Sequence, residues 1–226
     1  LIAYQSEQVA ITGEGTIDGN SAAFFEPLPP EEVTTTHFGH GRNFPIGEWR
    51  PGQMIFFCRC TQVAVRDVTL LNAPYWTLFL LGCEQVQVRG LRVVNPPQTP
   101  NGDGIDVDCC RHVTISDCLI SVGDDGITLR GNARVLGEHA QACEHVAVTN
   151  CVLSTPCNAI RVGVGNGLVR HCSFSNIVVP EARTGISIVS AYSDRSKPGV
   201  TIEDVHFSDF TLNTVVPWNM LLGQHA

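Results

Sequence analysis

A parallel β-helix, a solenoid of short strands wound into stacked coils, is the fold class that this chain of 226 residues predicts. Three observations lead there. A short apolar-polar-apolar phrase recurs along the chain, each copy has further strand-like phrases beside it, and Asn, Asp, Ser and Gly mark turns between them. No single coil of roughly 20 to 30 residues can bury its own apolar face, so burial has to come from stacking against its neighbours.

Taken in order, the chain opens on Gln8-Val-Ala-Ile11, which reads as a strand. Residues 20–57 are rich in Pro, Gly and Thr and read as a large excursion from one coil. The recurring phrase then runs Val63-Ala-Val65, Val86-Gln-Val88, Val113-Thr-Ile115, Val146-Ala-Val148, Gly167-Leu-Val169 and Val200-Thr-Ile202, at spacings of 23, 27, 33, 21 and 33 residues. A second apolar stretch follows, as in Val68-Thr-Leu70, Leu91-Arg-Val93 and Val205-His-Phe207. A third strand precedes the phrase, as in Leu78-Phe-Leu80, Ile105-Asp-Val107, Ile127-Thr-Leu129, Ile160-Arg-Val162 and Ile186-Ser-Ile188. A leucine-rich repeat, the main rival solenoid, needs a fixed Leu and Asn pattern that is absent. Residues 1–226 are expected to form one domain, because no linker-like shift in composition interrupts the repeats.

Aligned in this way, Cys60, Cys83, Cys110 and Cys143 each stand three residues before the phrase's first Val, and Cys118, Cys151 and Cys172 are expected to form a second ladder. Stacked thiols packed as small apolar side chains are preferred over a disulfide framework. Cys58-Arg-Cys60 and Cys109-Cys110 lack a CxxC partner pair, so no metal site is expected. The net charge is −8, with a single lysine, Lys197, among 14 basic residues, which argues against nucleic-acid binding. No apolar run is long enough to span a bilayer, and no leader stands at residue 1. The uncapped ends suggest a chain trimmed at both, and a monomer without cofactor is expected.

Two segments carry the chemistry. Asn101-Gly-Asp103-Gly-Ile-Asp106 and Gly123-Asp124-Asp125-Gly-Ile place Asp103 and Asp125 each two residues before an inward Ile, in one column with Trp76, Asn158 and Thr184. Coils stack about 4.8 Å apart, so Asp103 and Asp125 should be near neighbours, with Asp124 beside them. The next column holds Phe79, Asp106, Thr128, Arg161 and Ser187, which turns Arg161 toward the acids. Two carboxylates about 5 Å apart repel by roughly 3 kcal/mol at an effective dielectric near 20. Three escapes exist: a solvated Asp/Asn turn ladder, a hard cation bridging the oxygens, or one carboxyl that keeps its proton and so stands as an acid beside a base.

At these residues the chain resembles the polygalacturonases, glycoside hydrolase family 28, whose members are right-handed parallel β-helices of the pectin-lyase-like kind that hydrolyse pectic polysaccharides with inversion. Asn101-Gly-Asp103-Gly-Ile-Asp106 is similar to the family's Asn-Thr-Asp-Gly-Ile-Asp, and Gly123-Asp124-Asp125-Gly-Ile to its Gly-Asp-Asp-Cys-Ile. Ile11-Thr-Gly-Glu-Gly-Thr-Ile-Asp18-Gly19, Arg50-Pro51 and Asn72-Ala-Pro74-Tyr-Trp76 support the match. The resemblance implies that Asp124 is the general acid and that Asp103 and Asp125 hold and deprotonate the attacking water. It also implies contacts to a polysaccharide from Asn101, Asn158 and Arg161, and a secreted or periplasmic protein. The chain departs from the family at two places. Cys157-Asn158-Ala159 stands where the family has Gly-His-Gly, and Ser187-Ile188-Val189 where it has Arg-Ile-Lys. Arg161, one coil earlier, is the candidate to take over carboxylate recognition, with a satisfied surface arginine as the alternative; a neutral or differently linked sugar stays open.

Other residues point less sharply. Trp76 is read either as a sugar-stacking platform or as a cover for a neighbouring side chain. His112 and His145 are expected to form a surface ladder, and His139 to lie in a long connection near the cleft. Gly163-Val-Gly165-Asn-Gly167 reads as a solenoid turn rather than a phosphate loop. Besides a hydrolase, two functions remain at this point: a lyase with Asp103, Asp124 and Asp125 on Ca²⁺ and Arg161 as base, and a silent carbohydrate-binding solenoid.

Overall fold

The computed structural model describes residues 1–32, 42–191 and 199–222. Lys197 and part of the 20–57 excursion lie outside them. Short strands follow one another in coils: β1 (Ile2–Tyr4), β2 (Ala10–Thr12) and β3 (Thr16–Asp18), then β4 (Ile55–Cys58), β5 (Thr61–Arg66) and β6 (Thr69–Leu71). The pattern repeats with β7 (Leu78–Leu81), β8 (Glu84–Arg89) and β9 (Arg92–Val94), and with β10 (Ile105–Asp108), β11 (Arg111–Ser116) and β12 (Leu119–Ser121). After β13 (Ile127–Gly131), the strands run on round the corners as β14 (Cys143–Gly165), β15 (Leu168–Val189) and β16 (Thr201–Leu221).

All strand pairs are parallel and join each coil to the next, which makes the expected parallel β-helix with three ladders. The first ladder stacks β1, β4, β7, β10 and β13 onto the last parts of β14, β15 and β16. The second runs through β2, β5, β8 and β11 into the first parts of β14, β15 and β16. The third runs through β3, β6, β9 and β12 into their middle parts. The strands form where β-branched and Leu side chains alternate with polar ones, so one side of each strand faces the shared interior. Ile105, Ile127, Ile160 and Ile186 make one such inward column, and all are 0% exposed. Corners come where a residue takes a positive φ. One corner column, Gln62, Gln85, His112, His145, His171 and Asp204, repeats φ values of 47° to 57°. Another, Asp67, Asp117, Asn150, Asn176 and Asp209, uses side chains that tolerate the left-handed region.

The register corrects one part of the sequence reading. Val146 pairs with Cys172 and Cys172 with Val205, so the equivalent of the recurring phrase in that coil is Cys172-Ser-Phe174, not Gly167-Leu-Val169. Gly167 and Val200 lie upstream of it, at the entry to β15 and β16. A Cys at an inward position where the other coils have Val disguised the shift. Cys172 therefore leaves the second thiol ladder: Cys151 pairs with Ile177, and Cys118 lies beneath Cys151. Cys60, Cys83, Cys110 and Cys143 do stack in the core, and all ten cysteines are free thiols. The same shift puts His171 on the ladder expected of His112 and His145, with ring centroids 5.1 and 5.5 Å apart. β1 and β4, in the first ladder, were not anticipated; β4 overlaps the end of the expected excursion. The described part of the excursion is pinned by stacking of Phe25 on Phe44 and by the edge of Phe24 against Trp49.

Phe174 fills the interior of the second ladder at 0% exposure and stacks on Phe207 at 5.1 Å. Phe174→Ala should cost about 3–5 kcal/mol through lost burial and the cavity left behind. Urea unfolding will check this, and a loss below about 1 kcal/mol would show that neighbouring coils close the gap.

Candidate active site

The acids are held at the corner where the third ladder turns into the first. There Gly104 N donates to the Asp125 carbonyl at 2.9 Å and Gly126 N to the Asn158 carbonyl at 2.8 Å, so Asp103, Asp125 and Asn158 stand on successive rungs as expected. The glycines allow this approach. A Cβ on Gly126 would lie 2.6 Å from the Ala159 carbonyl oxygen, and one on Gly104 would collide with the Gly126 carbonyl. The Asp-Gly-Ile phrase thus encodes a corner packed backbone to backbone.

Asp103, Asp124, Asp125 and Arg161 line one cavity of about 190 Å³ together with Asn101, Trp76, Arg130 and Val164. Asp125 is 2% exposed and receives two strong donors: Arg161 Nη1 at 2.7 Å on Oδ2 and Asn158 Nδ2 at 2.6 Å on Oδ1. Asp103 is 4% exposed, and its Oδ1 has no hydrogen-bond partner. Burial above all, then the charges of Asp106, Asp124 and Asp125, pushes the Asp103 carboxyl well above the usual carboxylate range. Burial and the neighbouring Asp125 raise Asp124 as well. The more accessible Asp124 has its backbone carbonyl held by Thr155 Oγ1. The cluster therefore combines carboxyls that resist ionisation with one that is already paired to a guanidinium, which is how a single site holds an acid and a base together.

The remaining candidates divide. Arg161 and Asn158 are in the site, although both contact Asp125 directly. Asn101 stands exposed at its rim with φ 53°, and its Oδ1 accepts from Arg50 Nη2 at 2.8 Å. Arg50 also donates to the Pro100 carbonyl at 2.6 Å and lies over the Tyr75 ring at 4.5 Å, so Arg50-Pro51 and Tyr75 act as a clamp on the Asn101 turn. Trp76 meets Phe79 edge-on at 5.1 Å and carries Arg130 at 4.5 Å over its ring, which supports the covering role. His139 is not among the residues lining the cavity.

Four contributors were missed from sequence. Arg130 lies 3.5 Å from both Asp106 and Asp108, one coil after them, and so sets a cation beside the acids. Its place two residues after Thr128 on the outward face was a usable signal. Thr77 Oγ1 donates to the Asp103 carbonyl at 2.8 Å and is held in turn by Asn95 Nδ2 at 2.8 Å. Cys157 was read only as a departure from the family, yet its thiol, pushed up by burial and by the charges of Asp125 and Asp124, brings a third donor atom to those carboxylates. A larger cavity, about 510 Å³ beside Phe25, Phe44 and Asn72, lacks such a set. Its one Asp, Asp18, is already held by Asn20 N and Asn72 Nδ2.

The model of the glycosyl hydrolases family 28 matches residues 2–143, well over half of the chain. The chain belongs to glycosyl hydrolase family 28. A polygalacturonase from Nicotiana tabacum is 26% identical over 209 residues, covering 92% of this family 28 chain and 47% of its own length. The exopolygalacturonase of Thermotoga maritima superposes with a TM-score of 0.74 at 24% identity, over 97% of this chain and 55% of that one. The polygalacturonase of Erwinia carotovora gives 0.69 at 18%, over 92% and 52%. These likenesses to solved structures bear on the fold. The chain spans about half the length of the curated relatives it matches across most of its residues.

Asp106 tests the electrostatics of this centre. It is fully buried, and desolvation, opposed by Arg130 and reinforced by Asp125, pushes its carboxyl from 3.8 up to about 8. Between those values the folded chain holds a proton that the unfolded chain has released, so raising the pH through this window removes stability. Asp106→Asn should flatten the decline between pH 4 and 8 by up to about 1.4 kcal/mol per pH unit, as read by urea unfolding across that range. A variant with the wild-type slope would show that Asp106 is ionised in the folded chain.

Proposed function

We propose that this chain carries the catalytic centre of an inverting glycoside hydrolase that cleaves glycosidic bonds of a pectic polysaccharide outside the cell. The observation that carries the reading is the unalternated stack of Asp103 on Asp125, with Asp124 beside it in the same cavity and one guanidinium fixed on Asp125. The family, and relatives whose names say polygalacturonase, support the same chemistry. No helix of the described residues is long and apolar enough to cross a membrane.

In this reading Asp124, raised by burial and by Asp125, gives its proton to the departing glycosidic oxygen. Asp125, oriented by Arg161 and Asn158, takes the proton of a water that attacks the anomeric carbon from the opposite face, and Asp103, oriented through Thr77, helps to hold that water. Arg161 and the rim residue Asn101 are the polar groups offered to the sugar, and a uronate carboxylate would share the Arg161 guanidinium with Asp125. Oxygens of Asp124 and Asp125 lie within 4.8 Å of each other, closer than the roughly 6.5–9.5 Å usual for an inverting pair. The anomeric outcome is therefore an informative measurement. The lyase alternative loses support because Arg161, the base it requires, is tied to Asp125 at 2.7 Å.

Asp124→Asn should lower turnover on homogalacturonan or a neutral pectic polymer by about 10²–10⁴-fold with the folded spectrum retained. Mass spectrometry of wild-type products should show one added water per cut, and NMR of the first product should show the inverted anomer. Wild-type rates in a folded Asp124→Asn chain would remove it as the acid, and unsaturated products would overturn hydrolysis.

A further inference from the structure

We propose that Asp124, Asp125 and Cys157 form a binding site for a thiophilic divalent cation such as Zn²⁺ or Cd²⁺, independent of the hydrolase reading and blocking the cavity when filled. One carboxylate oxygen from each aspartate and the Cys157 sulfur all lie within 4.8 Å of one another. Small rotations bring three such atoms onto one tetrahedral zinc, with a water in the open fourth position.

A second observation points to a ligand in the same cavity. Asp103 lines it beside Asp124 and Asp125, is 4% exposed, and has an Oδ1 with no hydrogen-bond partner. A cation-bound water is a donor able to satisfy that oxygen. The sulfur is also held in place. Asn158 Nδ2 donates to the Cys157 sulfur at 3.3 Å, and the Cys157 backbone N–H is fixed on Thr155 Oγ1 at 3.0 Å. Arg161 and Asn158 already hold Asp125, and on metal binding they become the outer partners that orient a carboxylate ligand.

The sulfur decides which metals fit. A purely carboxylate pocket would prefer Ca²⁺ or Mg²⁺, whereas a thiolate selects zinc and its softer congeners. Binding forms the metal–sulfur bond as the thiol proton leaves to solvent, with no change of oxidation state. Selectivity among the chain's cysteines is built in: the other nine are buried, and Cys157 alone is half-buried.

The test is a titration of the reduced, intact chain with CdCl₂, following the ultraviolet cadmium–thiolate band, alongside calorimetry with ZnCl₂. The expected result is one saturable band per chain, reversed by chelator, with Cys157→Ser losing the band and binding zinc at least about tenfold more weakly while its circular dichroism is unchanged. A band that persists in Cys157→Ser, no band in the wild type, or Ca²⁺ competing as well as Zn²⁺ would each overturn the site. None of these readouts depends on turnover, so a chain inactive on every polysaccharide would leave the metal result interpretable.

Discussion

The core and the acidic cavity of this molecule both follow from the stacking of parallel coils. Ile105 pairs with Ile127, Ile127 with Ile160 and Ile160 with Ile186, so between the bulges a residue is stacked on its counterpart one coil away. For apolar side chains the repetition is favourable, and the interior is accordingly built of columns of Val, Ile, Leu and Cys. For charged side chains it is costly, because identical ions about 4.8 Å apart repel. The charged columns meet that cost in two different ways.

On the second ladder the chain alternates sign. Glu84, Arg111, Glu144, Arg170 and Glu203 are stacked in that order, and Glu144 is bridged from below by Arg111 at 3.1 Å and from above by Arg170 at 2.7 Å. The histidine stack is closed in the same way, with Glu84 3.5 Å from His112 at one end and Asp204 2.7 Å from His171 at the other. At the cavity the alternation is abandoned. Asp103 and Asp125 are stacked without an intervening cation, and relief comes from the side, through Arg161 in the next column and Arg130 one coil above Asp106 and Asp108. Relief from the side leaves the carboxyls crowded and desolvated, which raises Asp103 and Asp124 instead of pairing them off. A site with perturbed acids is what this departure produces.

The pattern of columns was legible because it is a property of spacing: Asp103, Asp125 and Asn158, and separately Asp106, Thr128 and Arg161, could be aligned from the Ile two residues after the first member of each coil. What spacing could not show was reach. Arg130 sits two positions beyond Thr128, and only the fold brings its long side chain back over Trp76 to the acids. Asn95 acts across a corner on Thr77, a contact with no sequence period at all. The misplaced coil had a different cause. The short glycine turn between Gly163 and Gly167 moves the start of β15, and Cys172 replaces the Val that marks the phrase elsewhere, so both cues used to set the register failed together.

The rigidity of the corner is what turns a crowded column into a preorganised site. Gly104, Gly126 and Ala159 follow Asp103, Asp125 and Asn158 on their respective rungs, and each glycine lets the next backbone approach to a distance that a side chain would forbid. The backbone of Asp103 is then held from below by Thr77, itself held by Asn95, whose Oδ1 accepts from Ala73 N at 2.8 Å. These groups are buried and hydrogen-bonded in a chain, so moving Asp103 would break several contacts at once. The acids are fixed by backbone and by a buried network, and their side chains do not have to be ordered by a ligand. Charge that is held in place before a ligand arrives needs no reorganisation when charge develops on that ligand. The desolvation that raises Asp103 and Asp124 is maintained by the same coil register that forms the core.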